Sequence, residues 1–171
     1  SDLEMFDFGL ENMAKLFRMA NFPVVCSNYD FTGTPCEGLV KDYVILKRNG
    51  LKIGVYALGA PMKGLVANKN CEGVKFLDPI ETSKKYIDIL RRREKCDVVI
   101  CLSHLGWAIS EYPDHKFMSE VQGLDLVLGG HTHTYMPTLE YAPDKTGKQI
   151  PDDQNGKHGV FIGKMVLTFE K

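Results

Sequence analysis

The chain has 171 residues, 44% of them hydrophobic and 25% charged, with a formal net charge of -1. That length accommodates one domain with a real core, and the composition is that of an ordinary globular chain. The near-neutral balance gives no basis for binding nucleic acid or an anionic membrane, and no apolar run is long enough for membrane insertion.

The first residues, Ser1-Asp2-Leu3-Glu4, do not form a signal peptide. Leu10, Met13, Phe17 and Ala20 recur at helical spacing and predict an amphipathic helix over 9–20. Phe22 to Cys26 reads as a short buried strand. Next, 43–47 and 52–58 flank Asn49-Gly50, a two-residue hairpin signal. Asp78-Pro79-Ile80-Glu81 marks a helix start: Asp as N-cap, Pro at the first position, and Glu placed to reach back. This helix runs to about Glu94, with Ile80, Ile87 and Leu90 turned inward. Arg91-Arg92-Arg93 then read as a solvated last turn suited to the negative end of the helix dipole.

A strand ending at His104, a helix over roughly 113–122 and a strand over 124–128 follow. Residues 138–141 and 159–170 look like returning antiparallel strands, joined by a polar loop over 143–158. The order predicts an α/β domain with parallel and antiparallel pairing.

Two motifs share one grammar. An apolar run from Val98 is followed by the polar pair Ser103-His104, and Leu124 to Leu128 leads into Gly129-Gly130-His131-Thr132-His133. Runs that are apolar at nearly every position suit parallel strands buried on both faces. Ligands of open α/β sheets sit beyond the carboxyl ends of such strands, so three imidazoles are expected at one sheet edge. In extended backbone, His131 and His133 point the same way, and the glycines before them permit a sharp turn. Imidazole is the commonest side-chain metal ligand, so a metal site is the leading reading.

Two divalent ions about 3.5–4 Å apart can clamp a phosphate ester and generate a hydroxide nucleophile. Such a centre also needs carboxylates, and these residues offer few. Asp97 and Asp125 begin their strands, at the wrong end, and read as structural. His115 and His158 sit in polar loops and read as exposed. Cys101 lies inside an apolar strand and reads as core packing, while Trp107 either lines the site or simply packs. Asn28, at a strand end by the same sheet edge, is a candidate contact for phosphate or substrate. The five cysteines contain no C-x-x-C pair, so neither a disulfide framework nor a cysteine zinc site is expected.

Ser103-His104-Leu105-Gly106 and Gly129-Gly130-His131-Thr132-His133 resemble the last two metal motifs of the calcineurin-like metallophosphoesterases. Phe6-Asp7-Phe8-Gly9, Asn21 to Asn28, Gly54 to Gly59, the Asp78-Pro79 helix, Gln154-Asn155-Gly156 and Gly159 to Gly163 resemble the bacterial 5'-nucleotidase branch. The resemblance covers essentially the whole chain. It implies a partial four-layer α-β-β-α sandwich, with mixed sheets and helices outside. It also implies metal-dependent hydrolysis of nucleotide phosphate esters by two divalent ions, zinc, manganese or similar.

By the same resemblance, His104 and His131 bind one metal and His133 the other, and Asp7 takes the place of the aspartate that orients a catalytic histidine. The family segment Gly-Asn-His-Glu-Phe-Asp is not kept: Leu3 stands where the metal-binding Asn is expected and Glu4 where the catalytic His is expected. The Asp-x-His and Gly-Asp-x-x-Asp motifs are not among these residues. Residues 1–171 therefore read as a single unit, the C-terminal portion of the catalytic domain, with partial metal occupancy and weak or no activity alone. The alternative is a non-catalytic module that keeps the fold and binds a ligand or partner. A periplasmic or exported location follows from the resemblance, as does self-association through an exposed sheet edge.

Overall fold

The computed structural model describes residues 2–169. Helices α1 (Asp2–Met5) and α2 (Gly9–Met19) precede strands β1 (Tyr29–Asp30), β2 (Tyr43–Arg48), β3 (Leu51–Leu58) and β4 (Lys75–Phe76). Helix α3 (Pro79–Asp88) continues as a π turn over Ile89–Arg93. It is followed by β5 (Val98–Ser103), α4 (Asp114–Glu120), β6 (Leu126–Leu128), β7 (Glu140–Pro143) and β8 (Gln149–Asp153). The main sheet has the order β2-β3-β5-β6-β8-β7. Its four inner strands run parallel, and β2 and β7 pair antiparallel at the two edges.

The apolar runs decide this arrangement. Cys101 lies opposite Val127 and Leu102 opposite Leu128, so β5 and β6 finish at the same edge. Val99, Cys101 and Val127 face a core completed by Tyr86, Ile87 and Leu90 on the α3 side and Phe117 and Met118 from α4. Alternation sends Leu102 and Leu128 to the other face, where they are 40% and 39% exposed. The second sheet among the described residues is the two-stranded antiparallel pair of β1 and β4. A smaller core joins Phe6, Met13, Ala14, Tyr29 and Phe31.

Several elements form as their sequence predicts. The hairpin turns at Asn49 (φ 50°) and Gly50 (φ 80°), the left-handed pair that matches strand twist. The Asp78 carboxylate accepts from the N–H groups of Ile80 and Glu81, each at 2.9 Å. Glu81, however, pairs with Lys84 at 2.8 Å rather than reaching back.

Three expectations change. Arg91 is not solvated: it donates to the carbonyls of Gly123, Cys96 and Asp97 and pairs with Asp125. Phe22 to Cys26 makes only an isolated bridge, Val25 to Lys41, and Phe22 is exposed. The returning strand is Gln149–Asp153, inside the predicted loop, because the Asp144 carboxylate accepts from the N–H groups of Thr146 and Lys148 and closes a tight turn. Residues 159–169 carry no strand, and Glu170 lies outside the described residues.

Candidate functional site

The edge where β5 and β6 end carries the predicted histidines. The His104 N–H donates to Leu58 at 2.8 Å, which fixes the chain as it leaves β5. Gly130 lies flat against the His104 ring: a Cβ there would stand 3.2 Å from Nδ1, so the ring takes the space a side chain would fill. The rings of His104 and His131 meet edge to face, with centroids 5.1 Å apart. Burial pushes the His104 pKa down to about 4, with the charge of His133 acting in the same direction and Glu4 against it. Its imidazole is therefore neutral near pH 7, the form that offers a lone pair to a metal.

The route by which the histidines meet differs from the expected one. His131 and His133 have φ of 74° and 55°. The segment is not an extended strand whose alternate side chains share a face. It turns twice through the left-handed region, at about 1–2 kcal/mol per residue. Neighbouring bonds hold it there. Thr132 Oγ1 accepts from the Trp107 N–H at 3.1 Å and approaches Gln154 Oε1 at 3.3 Å. Gln154 Oε1 also accepts from the Thr134 N–H at 3.2 Å, and the Gly129 N–H donates to Asp153 at 2.9 Å.

As a metal centre this edge is incomplete. His133 is exposed, and among the described residues no three His, Cys, Asp or Glu side chains come together closely enough to hold a metal ion. The donor set is a neighbouring pair of imidazoles with a third nearby. A pair of dications also requires carboxylates in the same cluster, and the described residues do not form that set, so no reaction step through a metal is derived from them.

The other candidates find definite places. The Asp7 side chain is exposed and its carbonyl accepts from Asn70 Nδ2 at 2.9 Å. Asn28 is wholly buried: its amide donates to the Gly59 carbonyl at 2.9 Å and accepts from the Gly59 N–H at 2.7 Å. That side chain is committed to joining two loops at the sheet edge. His115 and His158 are exposed, and His115 Nδ1 hydrogen-bonds the Trp107 carbonyl. Cys101 is fully buried, and all five cysteines are free thiols. Asp97 and Asp125 are structural, accepting from the N–H groups of Lys52 and Val99.

A group that pattern reading passes over lies directly beneath the edge. Ser103, Asp114, Asp152 and Gln154 are all buried. One signal was available: a Ser, two Asp and a Gln interrupt or border apolar segments without forming any motif.

Residues 7–135 match the Calcineurin-like phosphoesterase family. The 5'-nucleotidase of Vibrio cholerae serotype O1 is 31% identical, over 96% of this chain and 33% of its own length. Apyrase from Tabanus yao is 28% identical, over 96% of this chain and 31% of that protein. The crystal structure of a 5'-nucleotidase precursor from Thermus thermophilus superposes with a TM-score of 0.77 at 25% identity, covering 89% of this chain and 31% of that one. The chain thus spans about a third of the length of these relatives.

Proposed function

Because this chain belongs to the calcineurin-like phosphoesterase family, we propose that it is the histidine-bearing portion of a 5'-nucleotidase-like hydrolase of nucleotide phosphate esters. The observation that carries this reading is the His104–His131 ring pair at the ends of two parallel strands, inside the matched span. Members of the family use divalent metal ions, which neutralise phosphate charge and activate water. In our reading His104, His131 and His133 are nitrogen ligands of that centre, of zinc, manganese or a similar ion. Its anionic ligands come from outside the described residues, so occupancy by these residues alone is partial. Asn28 acts here by holding Gly59 in place.

The non-catalytic alternative has no observation in its favour, and relatives that match 96% of this chain carry the names apyrase and 5'-nucleotidase. The test is manganese-dependent release of phosphate from a nucleoside monophosphate. The 171-residue chain is compared with a longer one that supplies Asp-x-His and Gly-Asp-x-x-Asp motifs. Strong release by the longer chain and little by the shorter is expected. Equal metal-dependent release by both would refute the need for outside ligands, and none by either would refute the hydrolase reading. We further infer export, which the word precursor in the Thermus relative's name supports. No helix among the described residues is long and apolar enough to cross a membrane. Cell fractionation tests this, and a purely cytosolic product would reject it.

A further inference from the structure

Beneath the histidine edge, the Ser103 hydroxyl donates to Asp114 Oδ1, and the Leu105 N–H donates to Ser103 Oγ at 3.2 Å. Asp114 Oδ2 and both carboxylate oxygens of Asp152 are buried without a donor among the described residues, and Gln154 Nε2 is buried without an acceptor. These atoms converge. A Cβ built on Gly129 would stand 2.8 Å from Asp152 Oδ1, 2.9 Å from Gln154 Cγ and 3.1 Å from Asp114 Oδ2. Asp114 and Asp152 are each 0% exposed.

Two buried carboxylates cannot face one another as anions without a cation, because each would lose its hydration and repel the other. The groups acting on them supply no cation. Besides each other they are Ser103 and Asp153, with the buried Cys101 thiol and Tyr56 hydroxyl nearby. A single proton resolves the conflict: Asp114 becomes a donor, and Asp152 the acceptor of its hydrogen bond.

Each end of this group touches a different histidine loop. Ser103 immediately precedes His104. Gly129 leads into His131 and packs on both acids, and Gln154 holds the N–H of Thr134 and the hydroxyl of Thr132 on either side of His133. We propose that Asp114 and Asp152, joined by one shared proton and continued by Ser103 and Gln154, are positioning residues that set the relative placement of the two histidine loops. This rests on the histidine edge being the functional one, as proposed above. The device suits a metal edge: it adds hydrogen-bonding rigidity directly below the imidazoles while placing one negative charge, rather than two, in the core.

The test reads the proton and the rings, not turnover. Infrared difference spectra should show the carbonyl stretch of a protonated carboxyl near neutral pH in the unaltered chain. Asp114→Asn should abolish that band yet leave the His104 and His131 ring resonances in place, because the amide supplies the same donor. Asp114→Ala removes both bonds and should move those resonances, with His158, remote in an exposed loop, unmoved as the control. Should Asp114→Ala fail to fold, Gln154→Ala provides the second arm, with a shift at His131 and His133 expected. Absence of the band in the unaltered chain, or rings that stay put in a folded Asp114→Ala or Gln154→Ala chain, would overturn the proposal. A chain that shows the band and the shifts but hydrolyses no phosphate ester within a longer protein upholds this inference and rejects the hydrolase reading alone.

Discussion

Asn28 shows how a polar residue at a sheet edge can be wholly committed to architecture. Its amide makes two hydrogen bonds with Gly59 inside the protein, and truncation leaves both backbone groups buried and unmatched. Asn28→Ala is expected to cost about 2–4 kcal/mol, read as a lower urea midpoint. The acid pair makes a second prediction at this scale, with a definite sign. Burial raises the Asp152 pKa from 3.8 to about 7, and burial together with the Asp152 charge lifts Asp114 well above the usual range. A raised folded-state pKa means the folded chain binds more protons than the unfolded one. The resulting stability is present in full below the ordinary carboxyl pKa and is lost as pH rises through about 7. The pair should therefore lower the urea midpoint between about pH 5 and about pH 8, opposing the stability that His104, with its lowered pKa, gains up to about pH 6.5. Asp114→Asn should remove the pair's share of that dependence, because an amide donor stabilises ionised Asp152. An identical pH dependence in Asp114→Asn and the unaltered chain would reject the assignment, because the His104 contribution is common to both.

Among the elements, α3 and the hairpin before it were legible in the sequence because their determinants are local. Asp78 caps its own helix, and Asn49-Gly50 turns its own hairpin. Asp78→Ala is expected to cost about 1 kcal/mol. What escaped pattern reading was decided by distant partners. Arg91 reads as one of three equivalent basic residues, yet the π turn aims it at three carbonyls and at Asp125, tying the end of the helix to the strands on either side. Arg91→Ala should cost about 2–3 kcal/mol, while Arg92→Ala, whose partner Asp88 is exposed like itself, should be nearly neutral. Equal effects of the two changes in thermal melts would contradict this division. The same logic explains the site. The two histidine motifs were visible because each closes an apolar run, but the left-handed turns at His131 and His133 depend on Gln154 and Trp107, which no local spacing announces. The strand over 149–153 was hidden by its Pro and Asp residues. It lies between β6 and β7, where the buried Asp152 joins the acid pair rather than an apolar core.

For the molecule as a whole, the main core lies on one face of the sheet, and among the described residues the other face keeps several leucines in solvent. The α3 and α4 side is sealed by the main core, whereas Leu46, Leu102 and Leu128 remain exposed on strands β2, β5 and β6. Val160, Ile162 and Val166 add exposed apolar surface in the extended stretch that follows. Edge strand β7 also keeps one side unpaired among the described residues. Contiguous apolar surface and an open edge favour association, and the partner always at hand for a purified chain is a second copy. The 171-residue chain is therefore expected to sediment as a dimer or larger species at micromolar concentration. Leu102→Lys combined with Leu128→Lys should shift it toward monomer, because burying two ammonium groups in the contact is costly. Both side chains already reach solvent, so the fold should keep its helical signal in circular dichroism. A concentration-independent monomer in the unaltered chain would show that this face needs no cover. Unchanged association in the double variant would instead place the contact at the β7 edge.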